Sequence, residues 1–158
     1  MRQDFENVRE QIGACGLWCG SCAVGNGTPR ELGKRYADLV AAFHLDDWGL
    51  QDYDYTEFAK GLNSIQGVAV CPGCLHGGGR DDCELRSCGA SKSITTCHDC
   101  PAPPACEHAE LLQRMRDGAA GAGMYVDDGK APRAEQMERW MREAQRRWPM
   151  CIIFAECD

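Results

Sequence analysis

"ACGLWCGSC", residues 14–22, sets Cys15, Cys19 and Cys22 in a C-x3-C-x2-C frame. Three thiols this close are one end of a metal site or a chance clustering in a cysteine-rich chain, and the rest of the sequence decides which. Seven more cysteines follow in two groups: Cys71, Cys74, Cys83 and Cys88, then Cys97, Cys100 and Cys106. A cysteine-free insert, residues 23–70, separates the first group from the second. Cys151 and Cys157 stand apart near the C-terminus.

The chain has 158 residues, 12 of them cysteine, 18 glycine and 7 proline. That length points to one domain with a small appendage, and the glycine and proline point to long irregular stretches that need cross-links. "MRQDFENVREQI" (1–12) is charged and carries no apolar signal region. No run of about 18 apolar residues exists, so no membrane span is expected. A cytoplasmic location is the expectation, and there thiols stay reduced, so metal ligation accounts for the cysteines better than disulfides do. The net charge of −7 disfavours nucleic acid as a partner, because such binding rests on phosphate neutralisation. "RWMREAQRRW" (139–148) is locally basic but reads as a solvated helix face.

The insert reads as helical. Thr28 is expected as N-cap, with Pro29 at the first helical position and Glu31 closing a capping box. Leu32, Tyr36, Leu39, Val40 and Phe43 then share one face. "DDWG" (46–49) breaks this helix, and "DYTEFAKGLNSI" (54–65) forms a second with Phe58, Leu62 and Ile65 inward. Both are expected to pack against the metal-bound loops. A third helix is expected over 105–116, ended by "DG" (117–118) and holding Cys106 in its first turn, where the backbone dipole favours a thiolate. "GAAGAGMYVDDGKA" (118–131) reads as a flexible linker or small turn. A fourth helix, 132–148, puts Met137, Met141, Ala144 and Trp148 on one face with Trp140 beside them. "CIIFA" (151–155) has strand character without an identifiable partner.

Thiolate ligation of one tetrahedral ion needs its ligands within about 4 Å of one another, which a C-x2-C turn achieves locally. "CPGC" (71–74) and "CHDC" (97–100) are two such knuckles at a spacing typical of zinc. Cys15, Cys19, Cys22, Cys83, Cys88 and Cys106 supply the pool for a second centre, and the spacing does not assign the pairing. His76, His98 and His108 lie near these ligands and read as surface or supporting residues. Zinc fits the knuckles, while three close cysteines plus a remote fourth fit a [4Fe–4S] cluster at Cys15, Cys19 and Cys22. The C-x3-C-x2-C frame also occurs in radical enzymes that cleave S-adenosylmethionine. Those carry an aromatic residue where Ser21 stands here and need a larger barrel, so that reading is rejected.

"CGLWCGSC" (15–22), "CPGCLHGGGRDDCELRSC" (71–88) and "CHDCPAPPACEHAELL" (97–112) together resemble domain-of-unknown-function family 3795, small bacterial and archaeal proteins common in anaerobes. The similarity spans about residues 13–112 and carries the family's cysteines onto Cys15, Cys19, Cys22, Cys71, Cys74, Cys83, Cys88, Cys97, Cys100 and Cys106. It implies metal binding and supplies no substrate. The chain departs from the family pattern at "GGRDDC" (78–83), which is shorter and lacks a cysteine often present there, and at "PAPPA" (101–105), which is one residue longer.

The expected fold is mainly α, with irregular, cysteine-rich, metal-stapled loops and few short strands, a small α+β arrangement being the variant. Residues 1–118 form a metal-binding domain with the helical insert at 28–65, and residues 119–158 a C-terminal helix and tail packed on it. The leading expectation is an adaptor or binding module with two structural Zn²⁺ sites, engaging a protein partner through faces such as Trp140 and Trp148. Core packing is the plainer role for those tryptophans. The alternatives are an iron–sulfur redox or sensor protein and an enzyme with an open metal site. For the last, Glu84, Asp99, Glu107 and His108 are acid–base candidates that nothing pairs, so the reading leans away from an enzyme. Cys151 and Cys157 read as a free thiol pair.

Overall fold

Trp18, in the middle of the first cysteine motif, is fully buried and forms the centre of the core. The computed structural model describes residues 3–101 and 105–147. Around Trp18 gather Phe5, Ile12, Trp140 and Ala144, with Tyr125, Met137 and Met141 packed on the outside. The Trp18 ring stacks on Trp140 at 5.9 Å between centroids and meets Phe5 edge-on at 6.3 Å. Its indole N–H donates to Arg9 O at 2.6 Å, so the one polar atom of the ring is satisfied inside the core. Gly20 must lack a side chain here, since a Cβ would lie 2.6 Å from the Trp18 ring.

The elements are mainly helical, and the described cysteines sit in loops and short turns, except Cys88, which lies within a helix. Helix α1 (Gln3–Val8) buries Phe5 and Val8 and leads into the cysteine loop. A short α2 (Ala23–Asn26) ends at Gly27, whose φ of 75° starts the insert. The insert is a hairpin of α3 (Thr28–Ala42) and α5 (Tyr55–Gln66), joined by the single turn α4 (Leu45–Trp48). Helix α6 (Glu84–Ser91) follows the glycine-rich turn. Helix α7 (Ala109–Gly121) and helix α8 (Arg133–Arg147) complete the described chain. Among the described residues no helix is long and apolar enough to cross a membrane.

Several expectations are corrected. Thr28 is not the N-cap: it lies in α3, buried, with its N–H and hydroxyl both donating to Asn26 Oδ1. Gly27 precedes it, and Glu31 pairs forward with Arg35 at 2.6 Å instead of back to a cap. The hairpin helices pack chiefly on each other. They approach most closely at Gly33, where a Cβ would lie 3.2 Å from Ile65 and 3.3 Å from Leu62 O. Leu62 is buried, and Tyr36 meets Phe58 edge-on at 5.5 Å.

Helix α7 begins later and runs further than the sequence led us to expect. His108 precedes it, so Cys106 lies outside its first turn. Gly118 does not end it, because an exposed glycine costs a helix only about 1 kcal/mol and Ala119 and Ala120 continue the pattern. The domain boundary expected at 118/119 falls inside this helix. Residues 124–127, expected as linker, lie extended along the cysteine loop instead. Trp18 N–H donates to Tyr125 O at 3.0 Å and Asp127 N–H to Gly16 O at 2.7 Å, with a bridge between Leu17 and Val126. Helix α8 buries Gln136, Trp140 and Ala144, with Met137 and Met141 at the margins. Trp140 is therefore core and not a docking residue. Trp148, "CIIFA", Cys151 and Cys157 lie outside the described residues.

Candidate metal centre

The three C-x2-C turns are built from local backbone geometry. In "CGSC" and "CHDC" the first cysteine opens a 3-10 turn, and the last donates its N–H to the first cysteine's carbonyl, at 3.0 Å for Cys22 and 3.4 Å for Cys100. "CPGC" differs. Gly73 takes a φ of 88°, and its carbonyl accepts from His76 N and Gly78 N. Gly78 passes so close that a Cβ there would lie 2.6 Å from Cys71 Sγ, which explains the "GGG" run beside this knuckle.

Gln11 holds "CPGC" in place. Its side chain is buried, with Nε2 donating to Asn7 O at 2.6 Å and Pro72 O at 2.9 Å, while Oε1 accepts from Leu75 N at 3.1 Å. Cys71 N–H donates to Val24 O at 3.3 Å. These bonds bring the second cysteine group against the first, across the whole insert.

The cysteines divide into two sets. Cys15, Cys19, Cys22, Cys71, Cys74 and Cys83 line one cavity of about 610 Å³. Cys88, Cys97, Cys100 and Cys106 line a second, of about 200 Å³. The two knuckles, whose pairing the spacing left open, line different cavities: Cys71 and Cys74 the first, Cys97 and Cys100 the second. Helix α6 makes the division. Cys83 stands just before it and Cys88 lies five residues on, about 140° around the axis, so the two thiols face different ways. Leu85, 1% exposed, lines both cavities and forms their common wall.

The two sets also meet. Cys97 N–H donates to Ala14 O at 2.7 Å, one peptide bond from Cys15. Burial pushes the Cys97 thiol up, and the nearby thiols of Cys15, Cys106 and Cys88 add to this. Burial likewise raises Cys15, partly offset by a hydrogen bond from the Leu17 backbone. Arg116 Nε fixes the Cys15 carbonyl at 3.0 Å.

Within the larger cavity Cys19 and Cys74 form a hydrogen-bonded thiol pair. The bond from Cys19 lowers Cys74 to about 6, against the opposing effect of burial and with help from the Arg86 charge. Cys19, as donor, is pushed well up by the same bond and by burial. The pair therefore gives up its first proton easily and its second with difficulty. Arg86 is anchored by Gly78 O at 2.7 Å and Arg80 O at 2.8 Å. At the smaller cavity the Lys92 ammonium hydrogen-bonds Cys88, which raises the lysine.

The remaining candidates fall outside the thiol shells or at their edge. His76 and His98 are exposed, and the His98 ring lies against Gly129. His108 lines the smaller cavity, with Nδ1 3.3 Å from Glu84 and Nε2 3.6 Å from Glu107. Three of the acid–base candidates thus meet at the surface, whereas Asp99 accepts from the Thr96 hydroxyl at 3.1 Å. Gln11, Trp18 and Lys92 escaped the sequence reading. Arg86 was present only as part of "CELRSC".

A single tetrahedral ion with thiolates at about 2.3 Å would hold its sulfurs about 3.8 Å apart. Among the described residues no three cysteine sulfurs lie within 4.8 Å of one another. The group that does come that close is His44, Asp46 and Asp47, all exposed. The donor set is soft and anionic, suited in chemistry to zinc or to an iron–sulfur cluster.

The site thus defines a class of protein, a helical chain whose loops gather ten cysteines around two adjoining cavities. The chain belongs to the family described as Protein of unknown function (DUF3795), whose model matches residues 11–111 and spans all ten of these cysteines. No curated protein and no solved structure gives a significant match.

Proposed function

We propose that this is an iron–sulfur protein of the electron-carrying or sensing kind, its principal cluster held in the larger cavity. Ligands come from Cys15, Cys19, Cys22, Cys71, Cys74 and Cys83, more than the four that one [4Fe–4S] cluster takes. The observation that carries this reading is the crowding of thiols: six cysteines, three of them from the C-x3-C-x2-C frame, line one cavity, more than a single tetrahedral ion can use. The volume of about 610 Å³ gives such a group room. Arg86 beside Cys74 and Lys92 beside Cys88 offset part of the thiolate charge. The thiols supply the ligands, and the cluster, when bound, supplies one-electron chemistry.

The test is purification without oxygen, followed by iron, acid-labile sulfide and zinc analysis together with visible absorption. A brown protein with equal iron and sulfide is expected, losing colour in Cys19→Ser and Cys74→Ser. A colourless protein with stoichiometric zinc at both centres would overturn the reading. For the smaller cavity a second reading has its own support. It is lined by four cysteines, the number that closes a structural zinc site. One zinc per chain alongside iron and sulfide, lost in Cys100→Ser, is the outcome that reading expects.

A further inference from the structure

The α3–α5 hairpin carries the largest uncovered apolar face among the described residues. On α3, Leu32 is 43% exposed, Tyr36 52% and Leu39 46%, and Phe43, which caps its C-terminus, is 62% exposed. Their spacing of four, three and four residues places them within about 60° on the helix, a narrow seam roughly 16 Å long. Seams of this width bury against another helix, as in coiled coils and four-helix bundles. Helix α5 covers this seam only in part, where Phe58 meets Tyr36 edge-on, and otherwise packs on the adjoining face of α3, through Gly33.

We propose that the seam is covered by the same seam of a second copy of this chain. The two hairpins meet around a two-fold axis near residues 37 and 38, α3 antiparallel to α3, and form a four-helix bundle. Two observations select this occupant. First, the four–three–four spacing reads the same in both directions. Antiparallel pairing about that axis sets Leu32 opposite Phe43 and Tyr36 opposite Leu39 of the second copy, so every apolar residue finds an apolar partner. A two-fold interface requires such self-complementarity. Second, charge is segregated along the hairpin. Residues 28–37 carry Arg30, Lys34 and Arg35 against Glu31, with Asp4 of α1 3.7 Å from Arg30, so this end is weakly basic, whereas residues 38–54 carry Asp38, Asp46, Asp47, Asp52 and Asp54 with no lysine or arginine. Antiparallel packing lays the acidic end of each hairpin along the basic end of the other. Parallel packing would bring the two acidic ends together, at a cost in repulsion. No charged residue lies within the seam itself, and this inference does not depend on the metal reading.

The experiment is sedimentation equilibrium of the full chain in its metal-loaded form, over a wide range of concentration, on the wild type and on Tyr36→Lys/Leu39→Lys. The wild type is expected at twice the chain mass and the double variant at half the wild-type value, with metal content unchanged. If the double variant loses helicity, amide hydrogen exchange of the wild type provides the second measurement. Exchange over residues 32–43 is then expected to speed up on dilution, with residues 84–91 unaffected. A wild type of single-chain mass at every concentration would overturn the proposal. So would a double variant that stays folded at twice the chain mass, since the copies would then meet elsewhere. Exchange in α3 that ignores dilution counts against it too.

Discussion

The cysteine-loop body and the α3–α5 hairpin invert the usual association of regular structure with a buried core. The body is irregular, yet Trp18, Phe5 and Ile12 are sealed within it. The hairpin is regular, yet four large apolar residues of α3 and its C-terminal cap lie open. In the body, order comes from side chains that bond to loop backbone: Gln11 to "CPGC", Arg116 to Cys15, Arg86 to the glycine turn. In the hairpin, order comes from the helices themselves, and their apolar surface is left for another chain. Burial follows from what covers a face, and secondary structure alone does not provide the cover.

Substitutions at three residues would break or sharpen this contrast. The largest effect is expected from Trp18→Ala. It removes a fully buried ring that touches Phe5, Tyr125 and Trp140, and should cost about 3–5 kcal/mol in urea unfolding. A loss under about 1 kcal/mol would mean that the aromatic core is not what holds the loops. Next is Gln11→Ala, which strands Leu75 N and the Pro72 carbonyl in a half-buried place. A loss of about 2–3 kcal/mol is expected, together with weaker metal retention, and Gln11→Glu should recover part of it by restoring the acceptor for Leu75. The smallest effect belongs to the hairpin. Phe58 is half-buried between Tyr36 and Tyr53, so Phe58→Ala should cost about 1–2 kcal/mol and leave metal content unchanged. Loss of metal in that variant would show that the two regions are not separable.

The helices were legible in the sequence because their periodicity is local. The insert hairpin and the helix after residue 132 stand close to where the apolar spacing put them, with Met137, Met141 and Ala144 turned to the core side. The cysteines were legible as a group, and their division was not. Spacing marked "CPGC" and "CHDC" as knuckles without assigning their partners, because which knuckle shares a cavity depends on the path between them, and α6 turns Cys83 and Cys88 to different sides. Trp18 was hidden because it sits between ligands, where residues are expected to point outward. Residues 124–127 looked like linker since their hydrogen-bond partners are Gly16 and Trp18, over a hundred residues away. The apolar face of α3 was plain, but periodicity shows that a face is apolar and not what lies against it.

The hydrogen bond from Cys71 to Val24 has a consequence for how this architecture can vary. It ties the end of the insert back to α2 beside the first cysteine motif, so the hairpin beyond α2 leaves and re-enters the body at neighbouring points. Replacing that excursion with a turn of about six residues would lower the closure entropy cost by about 2 kcal/mol while the thiol frame stayed joined. The hairpin is therefore a detachable appendix in the engineering sense. Shortening it would leave the bonds of Gln11, Arg116 and Arg86 to the cysteine loops in place.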